Sequence, residues 1–197
     1  MHRIYSAIIE STAAAVFVIP LCCVYNKLRF HSLKRTVIYT VFGLYLTAIL
    51  ALVGFPNVTS LKIDLGVNII PFAGMVSDFT NACLNILLFV PFGFFLPVLW
   101  ETFRKLKSVA LAGLTATLFI EISQIFTFRT TDINDIITNT VGTVVGYFIA
   151  RWVTKRFTKR IMLNSEMCDF YLISGTVAVV MFFSQPFISS LLWEMLL

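Results

Sequence analysis

An all-α, polytopic integral membrane bundle of about five to six transmembrane helices is predicted by three features of this chain of 197 residues. Hydrophobic residues make up 58% of it and charged residues only 13%, where a soluble domain carries about 25% charge. The apolar residues fall in long runs near the ~18 or more needed to cross a bilayer. The basic residues fall mostly in the short gaps between those runs, where orientation signals sit. Helices are the spanning solution because each satisfies its own backbone hydrogen bonds in lipid, and the alternating pattern of a barrel strand is absent.

The first run, Ile4–Tyr25, is broken by Glu10, so it reads as a retained span rather than a cleaved leader. The second is Val37–Phe55. The following loop, Pro56–Thr80, contains an apolar stretch, Leu65–Met75, that is too short to span and reads as re-entrant or interfacial. The third run, Asn81–Leu99, carries Pro91 and Gly93, which predict a kink. Val109–Phe126 is the fourth and Ile136–Val153 the fifth, joined through the loop Thr127–Asp135. The sixth, Phe170–Trp193, holds Gln185-Pro186, so it either crosses or stops near Ser184 with its tail at the interface.

Of the 15 Lys and Arg residues, 12 fall on one side of this arrangement. Lys27, Arg29, Lys34 and Arg35 follow the first run, Arg104, Lys105 and Lys107 the third, and Arg151, Lys155, Arg156, Lys159 and Arg160 the fifth. The positive-inside rule makes that side cytoplasmic, which puts both termini extracytoplasmic in a multi-pass cell-membrane protein. The net charge of +5 is thereby accounted for, and no nucleic-acid partner is implied. The partners implied are membrane lipids. Cys22, Cys23, Cys83 and Cys168 show no metal-ligand spacing and read as small apolar fillers.

Polar side chains inside spans are costly and usually face a bundle interior or a wet cavity. Here they gather at one level. Asn81 and Asn85 lie one turn apart at the start of the third run, and Glu121 and Gln124 near the end of the fourth. Asp132, Asp135, Asn139, Gly142 and Gly146 form one stripe on the fifth, and Glu10 sits near the outer end of the first. The polar members all lie within about two helical turns, roughly 10 Å, of the outer boundary. Asp132 is positioned as N-cap of the fifth helix with Asp135 at its third position, both facing the positive end of the helix dipole. Arg129 is near enough in sequence to pair with one of them.

Asn85, Glu121, Gln124, Arg129, Asp132, Asp135 and Asn139 are therefore the candidate ligand-binding pocket. Three carboxylates against one arginine leave about −2, which a partly buried site holds poorly unless a proton or a cation is present. With no His or Cys in the group, zinc does not fit, and no metal and no cofactor are assigned. Gly142 and Gly146 form a small-xxx-small pair suited to close helix packing. No serine–histidine triad, P-loop or HExxH can be assembled, and no catalytic residue is identified.

The order and spacing of several short motifs resemble the VanZ-like family of bacterial membrane proteins, named for a teicoplanin resistance factor. These are Asn68-Ile-Ile-Pro71-Phe72, Asn85 through Phe89-Val-Pro91-Phe92-Gly93, Glu121-Ile-Ser-Gln124, Arg129-x-x-Asp132-x-x-Asp135, and Asn139-x-x-Gly142 leading to Gly146. The similarity implies a core at about 37–153, flanked by spans at about 4–25 and 170–193, within a single membrane domain. It also implies a role in the cell envelope or in glycopeptide susceptibility. The expected function is binding of a lipid-linked cell-wall precursor or a glycopeptide antibiotic in the extracytoplasmic polar pocket. One alternative is an intramembrane enzyme, with Glu121 or Asp135 as general base and Arg129 as anion clamp. Another is a structural or partner-binding protein whose polar cluster only joins helices.

Overall fold

A computed structural model describes residues 2–59, 61, 63, 66–68, 70–72, 78–127, 131–157, 163 and 165–196. In chain order the elements are α1 (His2–Tyr25), α2 (Leu33–Val53), β1 (Val67–Asn68), α3 (Phe79–Leu99), α4 (Leu106–Gln124), β2 (Thr131–Asp132), α5 (Ile133–Phe157), α6 (Met167–Val179) and α7 (Gln185–Leu196). Six helical stretches among the described residues are long and apolar enough to cross a membrane: Ile4–Phe30, Leu33–Val53, Phe79–Leu99, Leu106–Gln124, Ile133–Arg156 and Met167–Met195. The molecule is an all-α membrane bundle. The chain divides into two compact units, residues 1–63 with 168–197, and residues 64–167.

The first unit shows two departures from the expected span ends. After Tyr25 the chain continues as a π turn, Asn26–Phe30, rather than leaving the helix. It stops at His31, whose φ of 45° is left-handed and whose amide donates to the Asn26 carbonyl at 2.9 Å. Ser32 then caps α2, and Gly54 ends it with a φ of 72°, a conformation glycine adopts at no steric cost. The last span likewise does not stop at Ser184. A π turn, Val180–Ser184, joins α6 to α7, and the helix runs on through Pro186. Proline has no N–H to give the carbonyl four residues back, here that of Phe182. That carbonyl accepts instead from the Val58 amide at 3.0 Å.

Packing in this unit is apolar and close. Ala13, Ala14 and Val18 of α1 are fully buried, and a Cβ at Gly43 of α2 would lie 3.3 Å from Val18 and 3.6 Å from Ile173 of α6. One polar cluster interrupts it. The Arg29 guanidinium donates to Asp169 Oδ1 at 2.5 Å, and Tyr39 donates its hydroxyl to Oδ2 at 3.2 Å. Asp169 is only 3% exposed.

The second unit is built on α3 and α5. A Cβ added to Gly142 would collide with the Ile86 carbonyl, and one at Gly146 with the Val90 carbonyl. From the other side, a Cβ at Gly93 would collide with the Thr143 backbone. The two helices therefore touch backbone to backbone, which small residues alone permit. Gly113 of α4 sits over the Thr143 side chain, so α3, α4 and α5 meet at that residue. The helix α3 continues through both Pro91 and Pro97. Beyond it, Leu163 and Ser165 donate their amides to the Val98 and Leu99 carbonyls, and the Trp100 indole donates to the Glu166 carbonyl at 3.1 Å.

The residues of α5 are arranged inside out relative to a soluble protein. Val141, Val145, Phe148, Ile149 and Trp152 are exposed, whereas Thr138, Asn139 and Thr143 are buried. Apolar outside and polar inside is the pattern a lipid solvent demands. The expected interfacial stretch Leu65–Met75 is described only at residues 66–68 and 70–72. Its described part contains β1, which pairs in parallel with β2, Val67 opposite Thr131 and Asn68 opposite Asp132.

Candidate functional site

The beginning of α5 organises the site. Asp132 is its N-cap: Oδ1 accepts the Asn134 amide at 2.8 Å, as a capping aspartate does for the second helical N–H. Oδ2 accepts from the Asn68 amide group at 3.2 Å, which ties the cap to β1. The backbone amide of Asp132 donates to Glu121 Oε2 at 3.0 Å, and the Thr131 hydroxyl donates to the Glu121 carbonyl at 3.2 Å. Glu121 is 2% exposed and comes from the last turns of α4. One turn along α5 from Asp132, Asp135 Oδ1 accepts from Asn85 Nδ2 of α3 at 2.7 Å.

A second level lies deeper. Asn139, one turn further along α5, donates Nδ2 to the Thr117 hydroxyl of α4 at 3.0 Å. The Thr143 hydroxyl donates back to the Asn139 carbonyl at 2.9 Å. Asn139, Thr117 and Thr143 are all almost fully buried. The Asn139 Oδ1 atom has no hydrogen-bond donor among the described residues, an arrangement that normally costs about 1–3 kcal/mol.

Asn85, Glu121, Asp132 and Asp135 thus lie at one end of the second unit in two hydrogen-bonded connections. Gln124 is buried one turn beyond Glu121, and Asn139 lies below them. Arg129 lies outside the described residues. Asn81 does not join the group: it is exposed, and its Nδ2 donates to both Asp78 carboxylate oxygens at 2.7 Å. The nearby exposed aspartate is an easier partner than a site one turn away. Glu10 belongs to the other unit. Among the described residues, no three His, Cys, Asp or Glu side chains are grouped to hold a metal.

Four participants escaped the sequence reading. Asn68 was visible only as part of a motif. Asn134 sits between the two aspartates and reaches out of the helix, its Oδ1 accepting the Phe72 amide at 2.7 Å. That bond holds Phe72 at a φ of 63°, an uncommon conformation for an aromatic residue. Thr131 and Thr117 look like ordinary helix and loop residues by type. Spacing could have found Thr117: Gly113, Thr117, Glu121 and Gln124 follow at steps of four, four and three, which is one face of α4.

Among the described residues, Glu121, Asp132 and Asp135 each accept at least one hydrogen bond from a backbone amide or an asparagine. Glu121 is sealed, but Asp132, Asp135 and Asn85 are only half-buried. The arrangement is therefore a set of preoriented acceptors at a helix N-terminus, supported by a buried polar seam.

A family model described as VanZ/LLP1 matches residues 36–154, from the start of α2 nearly to the end of α5, and so contains the whole cluster. Protein VanZ of Enterococcus faecium is 35% identical over 79 residues, which cover 40% of this chain and 48% of that protein. The matched stretch thus spans about half the length of that relative. No solved structure matches the chain. With more than half of its residues inside the family model, and the conjunction of Asn85, Glu121, Asp132 and Asp135 lying within them, this chain belongs to the VanZ/LLP1 family.

Proposed function

We propose that the acceptor cluster at the N-terminus of α5 binds the polar head of an amphiphilic cell-envelope molecule from the extracytoplasmic side. The class is a lipid-linked wall precursor or a lipid-bearing glycopeptide such as teicoplanin, and the outcome is altered glycopeptide susceptibility. One observation carries the reading. Asp132 and Asp135 stay half-buried while asparagines from two other elements, Asn68 and Asn85, hold them in place. A carboxylate offers about four acceptor positions, so a ligand's ammonium, amide or hydroxyl donors have fixed oxygens to meet. The apolar faces of α3 and α5 beside them suit the ligand's acyl chain.

A second reading is favoured by the same bonds: each carboxylate already has a donor, so the cluster serves only to join α3, α4, α5 and β1. Asp135→Asn separates the two. It keeps the size and polarity of the side chain while removing the charge. If the cluster binds a ligand, Asp135→Asn should weaken the susceptibility effect about tenfold, the factor that losing about 1.4 kcal/mol of charge-assisted hydrogen bonding produces. Membrane abundance by immunoblot should match the parent. Parent-like teicoplanin susceptibility at normal abundance would refute ligand binding through Asp135, and a joint loss of abundance and effect would favour the structural reading.

A further inference from the structure

At the other end of α5 the second unit holds a cavity of about 240 Å³ lined by Pro97, Arg104, Tyr147, Ala150, Arg151 and Thr154. We infer that this cavity is a binding site for a phosphate ester, namely the headgroup of an acidic phospholipid, gripped between Arg104 and Arg151. The two arginines come from different elements. Arg104 ends the short 3₁₀ turn Glu101–Arg104 that follows α3, and Arg151 lies on α5. Among the described residues, none that lines the cavity carries a negative charge. The two hydroxyls in the wall are committed to backbone: Tyr147 donates to the Arg104 carbonyl at 3.1 Å and Thr154 to the Ala150 carbonyl at 2.8 Å. The Tyr147 bond also fixes the 3₁₀ turn against α5, so the separation of the two guanidinium-bearing segments is set by the fold.

Arg104 pairs with Glu101 at 3.0 Å, and the Glu101 side chain is 69% exposed. Such a surface pair is worth little and is readily outcompeted by a second negative group. The surroundings add positive potential, since Lys105, Lys107, Lys155 and Arg156 are all exposed nearby in sequence. Planar guanidinium forks grip phosphate oxygens two at a time, which lysine cannot do. Depth in the membrane fits as well. Trp152 is 59% exposed with the Arg156 guanidinium 5.7 Å from its ring centre, a pairing suited to the headgroup layer, where exposed tryptophans concentrate. Basic pockets between spans at the positively flanked face are where acidic headgroups dock. A phosphate here leaves the carboxylate cluster untouched, because Asp135 and Arg151 are separated by sixteen residues of helix, or about 24 Å.

The test uses the full chain purified in a phosphate-free neutral detergent, with lipid retention read by native mass spectrometry. The probes are phosphatidylglycerol, phosphatidylcholine of the same chains, and inorganic phosphate as competitor. The parent should retain phosphatidylglycerol about tenfold better than phosphatidylcholine. The Arg104→Gln/Arg151→Gln variant should lose that preference. The Lys155→Gln/Arg156→Gln variant, which removes the same charge outside the cavity, should keep it. Should the glutamine variant fail to fold, Arg104→Lys/Arg151→Lys keeps the charge without the forks, and a clear fall in retention is again expected. Inorganic phosphate should displace the lipid only at large excess. Equal retention of the two lipids, or equal losses in both glutamine variants, would reduce the effect to surface charge and overturn the site. Displacement by inorganic phosphate at concentrations matching the lipid would assign the site to a soluble phosphate and overturn the lipid identity.

Discussion

Asp169 and Arg29 lie 140 positions apart in the chain, yet their side chains meet. Arg29 reads from sequence as one more loop cation, and Asp169 lies just before the last apolar run, so nothing in the sequence joins them. The acidic cluster of the other unit was easier to see because its members recur at helical spacing within three neighbouring runs. Asn68 and Asn134 lie outside those runs, in loop and cap, where no helical spacing marks them, and the Thr117 hydroxyl was overlooked although it shares the face of Glu121. The 29–169 pair also has an asymmetry that can be measured. Asp169 is 3% exposed, whereas the Arg29 side chain is 37% exposed. Arg29→Ala would leave a buried carboxylate with the Tyr39 hydroxyl but without its cation. Losing one member of such a pair costs up to several kcal/mol, and the solvent access of Arg29 reduces that to about 2 kcal/mol. Asp169→Asn leaves an arginine that can turn to water, so it should cost under about 1 kcal/mol. Thermal unfolding of the purified protein in detergent should rank the variants in that order. If Arg29→Ala melts with the parent, the ion pair contributes nothing and Tyr39 suffices.

Helix α5 shows what sequence can and cannot say about an element. The Gly142–Gly146 spacing announces a close neighbour without naming it. The structure supplies α3, and it gives Gly93 a different meaning from the kink expected beside Pro91: its missing side chain is where the Thr143 backbone sits. The sixth span was ambiguous for a related reason. Pro186 looks like a terminator by type, yet the helix continues, and the Phe182 carbonyl that the proline leaves without its helical donor accepts from the Val58 amide. The glycines differ sharply in what a methyl group would meet. At Gly142 and Gly93 it would strike backbone that cannot turn aside, whereas at Gly175 of α6 it would meet nothing within 4 Å. Gly142→Ala and Gly93→Ala should therefore each destabilise the protein by about 3 kcal/mol, the upper range of overpacking. Gly175→Ala should be neutral or stabilising by up to about 1 kcal/mol, because alanine is the better helix former. Folded yield and melting temperature in detergent decide this. A Gly142→Ala protein as stable as the parent would mean that α3 and α5 can separate at little cost.

For the whole molecule the open quantity is its direction across the membrane, since helices of the right length are compatible with either. Each unit contributes three spans, so the orientation of both is fixed once one loop is assigned. The charge pattern predicts it: the turn after the first span holds Lys27 and Arg29, the turn after the third holds Arg104, Lys105 and Lys107, and the end of the fifth holds Arg151, Lys155 and Arg156. The short connections on the opposite side carry only Lys62 and Arg129. Lysine and arginine within about 15–20 residues of a span end set orientation most strongly, and short loops count most. Green fluorescent protein fused after His31, Arg104 or Lys155 should therefore fluoresce, and alkaline phosphatase fused at the same points should be inactive. Phosphatase fused after Asn57 or Thr127 should be active. That result would put Asp132 and Asp135 on the extracytoplasmic side and the two-arginine cavity against the cytoplasmic leaflet. The reverse pattern at all five points would keep six spans but exchange the faces, and it would remove the access an externally added glycopeptide needs. Opposite results at His31 and Arg104 would be more serious, since these two points are separated by exactly two of the proposed spans, and an odd number between them would mean that one of the helices α2 and α3 does not cross.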